Sequence, residues 1–227
     1  MQPNYKIATE GHPPLLAHSW GEFMNIGFRA CKGKWILMIS DDLILSRGCI
    51  EKGFEMLEQL QREGKRVGAG ALFYRDYPRE LRYNVKLLPG DVVLVNHGFF
   101  SKEALEDIHY IDERSFEFYY ADTDLCMRLA KAGYDNVPLE GCLAEHLAHM
   151  PNYRSLFGKP KPKGVTDFAT LERRWGKFPS TGSLLYSDCQ PADRSYRQLW
   201  RLAPIQCAVA AALRNLGRFR KHGQTSS

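Results

Sequence analysis

Residues 35–45 read WILMISDDLIL, an apolar run that carries two adjacent carboxylates. Trp35 to Ile39 is continuous enough to be a strand covered on both faces. Strands of that kind belong to sheets with helices packed above and below, so the expected fold class is α/β. An unpaired charge inside such a core is costly. Asp41 and Asp42 therefore place the end of the strand at a cleft, which is where open α/β sheets bind ligands. On extended backbone the two side chains point in opposite directions and take different tasks. One can bind a hard divalent cation through oxygen, leaving positions for water and substrate phosphates. The alternative is a strand-end turn in which an aspartate accepts backbone N–H groups.

The rest of the chain alternates helix and strand signals. Tyr5 to Ala8 suits a short strand, and residues 20–31 suit a helix with Phe23, Ile26, Gly27 and Ala30 at helical spacing and Gly33 as its stop. Ser46 is placed to cap a second helix whose stripe is Ile50, Phe54, Leu57 and Leu60, ending at Gly64. Val67–Tyr74 and Asp91–Asn96 read as strands, and Ser101 opens a short helix, SKEALEDI. A further helix runs from about Thr123, with Leu125 and Leu129 on one face and Gly133 as its stop. Val137 to His146 reads as the last core strand, and a short helix spans about Asp167 to Trp175 before an irregular stretch.

Two more groups carry chemistry. Asp122 and Asp124 fall at a helix start, where a carboxylate either caps the helix or, beside an acceptor hydroxyl, serves as a general base. His146 and His149, in CLAEHLAHM, are spaced i, i+3, which matches no H-E-x-x-H pattern. Either can be a single metal ligand at a strand end or a hydrogen-bonded structural histidine.

Charge divides the chain. Residues 1–193 hold 24 basic and 26 acidic side chains, a net −2, whereas residues 194–227 hold seven basic ones and no acid. The basicity thus belongs to a tail, and no nucleic-acid-binding fold is expected. Tyr196, Leu199, Trp200 and Ala203 recur at helical spacing in it, with Arg194, Arg197 and Arg201 opposite, and a second apolar stripe follows Pro204. Two readings stand: the tail lies on an anionic membrane surface, or it packs on the domain and covers a sheet face. Pro- and Lys-rich FGKPKPKG, residues 157–164, suits a linker. The expected organisation is a domain over 1–156, a linker with a short helical segment over 157–193, and a basic amphipathic tail over 194–227. The six cysteines form no C-x-x-C pair, and no basic flank leads into an apolar stretch at the N-terminus. A cytoplasmic location, with peripheral membrane contact through the tail, is the expectation.

The order of these parts resembles a family. NIGFRACKGKWILMISDDLIL followed by VNHGFFSKEALEDIHYIDERSFEFYYADTDLCMRLAKAGYDNVPLEGCLAEH is similar to the GT-A glycosyltransferases of family 2, over about residues 5–149. Those enzymes show an Asn-x-Gly helix, a strand ending in a D-x-D-like motif, a glycine-containing segment, an E-D-x-D-L helix with an Arg and "aGy", and then a histidine. The resemblance implies a three-layer α/β/α GT-A domain that lacks the usual first β-α-β portion, with a helical basic C-terminal extension. It implies Asp41, Asp42 and Gly98 at the nucleotide-sugar donor, and Asp42 and His146 on Mg2+ or Mn2+. It implies Asp122 as the base that takes a proton from an acceptor hydroxyl, in an inverting displacement. Asp124 and Arg128 would support the helix, and the acceptor would be a carbohydrate or a lipid-linked group. Ser40 stands where the family has Asp or Asn, and Ala121 where it has Glu. The absent first unit would leave an open sheet edge, and three explanations stand: a start upstream of Met1, a partner chain that completes the sheet, or a shortened, inactive relative. Two other functions stay open: a non-catalytic sugar- or nucleotide-binding or assembly module, and a metal-dependent phosphodiesterase.

Overall fold

The computed structural model describes residues 5–9, 12–17, 19–77, 80–147, 164–178 and 182–191. Strands β1 (Tyr5–Thr9) and β2 (His12–Ala17) form an antiparallel pair of their own. Helix α1 (Trp20–Ala30) follows, and Ser19 caps it by accepting the Glu22 N–H. The helix ends at Ala30 with Cys31 as its cap, so Gly33 falls in the turn beyond rather than stopping it.

Eight strands then build one mixed sheet. They are β3 (Trp35–Met38), β4 (Leu43–Leu45), β5 (Val67–Asp76), β6 (Asn84–Leu88), β7 (Val92–Val93), β8 (Gly98–Ser101), β9 (Asp135–His146) and β10 (Ser183–Tyr186). β5 is the spine. One of its edges pairs in parallel with β9, and the other pairs with β8 over Ala69–Ala71 and with β6 at Tyr74. β8 is antiparallel to both β5 and β3, so β3, β5 and β9 run the same way and end on one side of the sheet. β4 pairs with the end of β9, while β7 and β10 extend the sheet from β6.

Helices cover both faces, in agreement with the expected α/β class. On one face α2 (Cys49–Arg62) packs Cys49 and Leu57 against Val67, Leu72, Phe99, Leu139 and Cys142. On the other, α1, α3 (Lys102–Asp107), α4 (Ala121–Lys131) and α5 (Gly164–Trp175) share a core with the alternate residues of the same strands, among them Ile36, Ala69, Ala71, Phe73 and Phe100. The period-2 alternation of β5 serves both layers.

Several local expectations are corrected. Ser46 does not cap α2; Gly48 does, at φ 74, a left-handed conformation that lets the chain enter the helix without a side-chain cap. The buried stripe of α2 is Cys49, Gly53 and Leu57, and the expected Ile50 and Phe54 are 46% and 48% exposed. They line, with Gly33, Trp35, Leu37 and Phe99, a groove beside β3. Trp35 and Leu37 are only half-buried for that reason, so β3 is not fully covered on both faces, and no strand among the described residues pairs with its second edge. The expected strand Asp91–Asn96 reduces to Val92–Val93, because Pro89–Asp91 forms a tight 3-10 turn with Gly90 at φ 75. β6 and β10 carried no strand signal in the sequence. Ser101 caps α3 as expected, accepting the Ala104 N–H. Asp122 and Asp124 do not cap α4, whose N-cap is Tyr120 in the left-handed region at φ 62. α5 packs on the same core as the residues before it, through Leu171, Phe168 and Trp175, and β10 pairs with β6 while its own residues stay exposed. The linker residues 157–163 and the basic tail 194–227 lie outside the described residues.

Candidate active site at the strand ends

The shared direction of β3, β5 and β9 brings their last residues together, and β8 starts among them because it runs the opposite way. Asp41 and Asp42 form the turn after β3. Asp76 closes β5, His146 closes β9, and the two are cross-strand partners. His97 immediately precedes β8.

Asp42 is half-buried and Asp41 is exposed; both lie in the turn rather than on the extended backbone expected for them. Ser40 Oγ donates to Asp42 Oδ1 at 2.5 Å, and the same carboxylate oxygen lies 3.4 Å from His146 Nε2. The Leu147 N–H donates to the Asp42 carbonyl at 2.8 Å, which ties the turn to the end of β9. The other ring nitrogen of His146, Nδ1, is 2.7 Å from Asp76 Oδ1. Asp42, His146 and Asp76 thus form a carboxylate–imidazole–carboxylate row.

His97 packs against that row, its ring 5.1 Å from the His146 ring and 5.1 Å from Tyr74 in an edge contact. It is 8% exposed, and its Nδ1 makes no hydrogen bond. Burial, with the His146 imidazole adding to it, holds His97 down at about 4. Burial also pushes the Tyr74 hydroxyl up, and the carboxylates of Asp76 and Asp122 both add to the effect. The Tyr74 hydroxyl is thus under the influence of carboxylates from both the row and the first turn of α4.

Asp122 sits in the first turn of α4. Its Oδ2 accepts from Asn96 Nδ2 at 2.7 Å and its Oδ1 from the Thr123 N–H at 2.7 Å. Burial pushes its carboxyl above the ordinary range despite those bonds. A carboxyl so raised holds a proton more firmly once it has taken one, which suits a general base. Neighbouring residues of one segment serve both halves of the site: Asn96 holds Asp122, and His97 packs on His146.

Gly98, next in that segment, is the first residue of β8. A Cβ there would come 2.0 Å from the Gly70 carbonyl oxygen, so the position needs glycine for β8 to approach β5. Asp124 is fully buried and structural, accepting from Arg128 Nε, Arg174 Nη1 and Trp175 Nε1 at 2.8–2.9 Å. His149 lies outside the described residues.

Asp42 Oδ1 and His146 Nε2, 3.4 Å apart, are the atoms here that could hold a cation. A His146 Nδ1–H donated to Asp76 leaves the Nε2 lone pair facing Asp42, the orientation that a backing carboxylate gives to a metal-ligating histidine. Two protein ligands of this kind fit an open site completed by water and substrate phosphates. Among the described residues no group of three or more His, Cys, Asp and Glu side chains is placed to hold a metal ion by itself.

Asp76, Asn96 and His97 are the site residues that sequence reasoning missed. Asp76 lay two residues past the expected end of its strand, and Asn96 and His97 stood in the quoted segment VNHGFF beside the glycine that drew attention. The groove beside β3 lies on the α2 side of the sheet and contains none of these residues. No family model matches the chain, and no curated protein matches it.

Proposed function

We propose that the chain is a GT-A-type glycosyltransferase domain of family 2 that moves a sugar from a nucleotide-sugar donor to an acceptor hydroxyl with inversion. The observation that carries this reading is the convergence of Asp42, His146 and Asp122 at one end of the parallel strands, linked through Asn96, His97 and Tyr74. In this reading Asp42 and His146 face the donor diphosphate, and Asp76 keeps the His146 ring in its ligating orientation. Asp41, exposed beside them, faces the nucleotide or its sugar. A bound Mg2+ or Mn2+ would offset the charge on the diphosphate. Asn96 orients the Asp122 carboxylate. Asp122 takes the acceptor proton as the acceptor oxygen bonds to the anomeric carbon, and the electron pair of the breaking C–O bond leaves with the nucleoside diphosphate. No covalent nucleophile is needed.

The edge of β3 that no strand among the described residues pairs with, and the groove beside it, favour a second reading, a binding or assembly module whose sheet another chain completes. Calorimetric titration of uridine and guanosine diphosphates with Mn2+ separates the two. The transferase reading expects cation-dependent binding that Asp42→Asn and His146→Ala abolish and Asp122→Asn retains. It also expects nucleoside diphosphate release from a nucleotide-sugar panel to fall by about 100-fold or more in Asp122→Asn. Cation-independent or absent binding would leave the module reading in place.

A further inference from the structure

Helix α5 comes from beyond the segment that resembles the family, yet its hydrogen bonds reach the approach to Asp122. Asp167, 3% exposed, accepts three consecutive backbone N–H groups: Glu117 on Oδ1 at 3.0 Å, and Phe118 and Tyr119 on Oδ2 at 3.0 and 2.9 Å. Successive N–H groups aimed at one point make an anion-binding hollow, and here the chain fills that hollow with its own carboxylate. The next residue, Tyr120, is held at φ 62, an unfavourable conformation for a bulky side chain that persists only where the surroundings impose it. Its carbonyl accepts the Asp124 N–H at 2.9 Å, an opening bond of α4, and its ring packs 5.2 Å from Phe168 of α5. Two turns later α5 grips the segment again: Arg174 bridges Asp124 at 2.9 Å and Asp112 at 2.7 Å, and Trp175 donates to Asp124. Asp122 lies between the two grips.

We propose that Asp167 is a positioning residue for Asp122: by filling the hollow formed by residues 117–119 it holds the strained Tyr120 turn and so fixes where α4 begins and where the Asp122 carboxylate points. The proposal rests on Asp122 as the base of the transferase reading, and it assigns to α5 a part in the reaction rather than only in packing. Asp167→Asn is nearly isosteric but sets an N–H2 against backbone N–H donors, and Asp167→Ala empties the hollow so that a small external carboxylate can enter.

The test uses the full chain, with amide spectra of residues 117–119, a carbon-13 titration of the Asp122 carboxyl, and nucleotide-sugar turnover. In both variants the three amide protons lose the downfield position that a carboxylate partner gives, the Asp122 titration midpoint moves, and kcat falls by about 100-fold with the donor KM unchanged. In Asp167→Ala, sodium formate restores the amide signals and the midpoint, and sodium chloride at equal ionic strength does not. Amides that move while the Asp122 midpoint stays fixed would overturn the proposal, as would formate that restores neither. Should the unaltered chain turn over no nucleotide sugar, the transferase reading fails, and the two spectroscopic readouts still decide whether Asp167 positions Asp122.

Discussion

His97 shows what a single buried ring does to the pH response of the whole protein. Its folded form stays neutral down to about 4, because burial and the neighbouring His146 oppose its charge. The unfolded ring takes a proton near 6.5, so between these values the unfolded chain binds more protons than the folded one. Stability from this group is complete above about pH 6.5 and is lost as the pH falls towards 4, by about 3 kcal/mol at the lower end. Urea midpoints measured from neutral to acid pH should follow that slope, and His97→Phe, which keeps a ring against Tyr74 and His146, should flatten it. Such a residue is hard to read from sequence. Asp42, Asp122 and His146 stand out because each ends or opens an element at a spacing that resembles a known order. Nothing in VNHGFF says that the histidine is enclosed, since the enclosure comes from Tyr74 and His146, 23 and 49 positions away.

Among the elements, helix boundaries were legible and helix orientation was not. Gly64 and Gly133, at φ 83 and 81, end α2 and α4 as their positions in the sequence suggest. The face of α2 was misjudged because its closest contact is made by a glycine. A Cβ at Gly53 would lie 2.6 Å from Phe99 Cε2 and 3.5 Å from Cys142 Sγ, so the helix settles on β8 at a spot that no hydrophobic stripe advertises. Ile50 and Phe54 are left on the open side as a result. Two effects oppose each other in Gly53→Ala. The helix gains about 1 kcal/mol of intrinsic preference, and overpacking against a rigid ring costs about 1–3 kcal/mol. The steric cost should win, and a thermal melt should show a lowered Tm. Gly27, with nothing within 4 Å of its would-be Cβ, is the control: Gly27→Ala in α1 should raise Tm. β6 and β10 were missed for a related reason: each is held by its neighbour, Ser183–Tyr186 against Asn84–Leu87, and four of the residues so paired are polar or basic.

At the scale of the molecule, one buried network ties distant parts of the chain together. Arg75 in β5 makes a two-pronged pair with Glu145 in β9, at 2.7 and 2.6 Å, and both are buried. Arg75 also donates to the Leu81 carbonyl at 3.2 Å, and Tyr83 donates to Glu145 at 2.6 Å. Removing one member strands a charge in the core, so Arg75→Met alone should destabilise the fold by about 3–5 kcal/mol. The double change Arg75→Met with Glu145→Leu should recover a large part of that loss, and urea unfolding of the three variants measures it. The overall α/β layering was legible in the apolar runs and the alternation of elements. The arginine–glutamate pair was not, because a charged residue inside a strand otherwise reads as one of its exposed positions.

The arrangement of β5 and β9 carries a final implication. Arg75 faces Glu145, and the very next rung joins Asp76 to His146. Side chains alternate along a strand, so a shift of one residue between these two neighbours would send the imidazole inward and the glutamate out of the core. Only one alignment lets the guanidinium meet its carboxylate. A mispaired chain would leave that arginine unmatched in an oily interior, so the buried pair favours the one register that sets the imidazole beside Asp42 and Asp76.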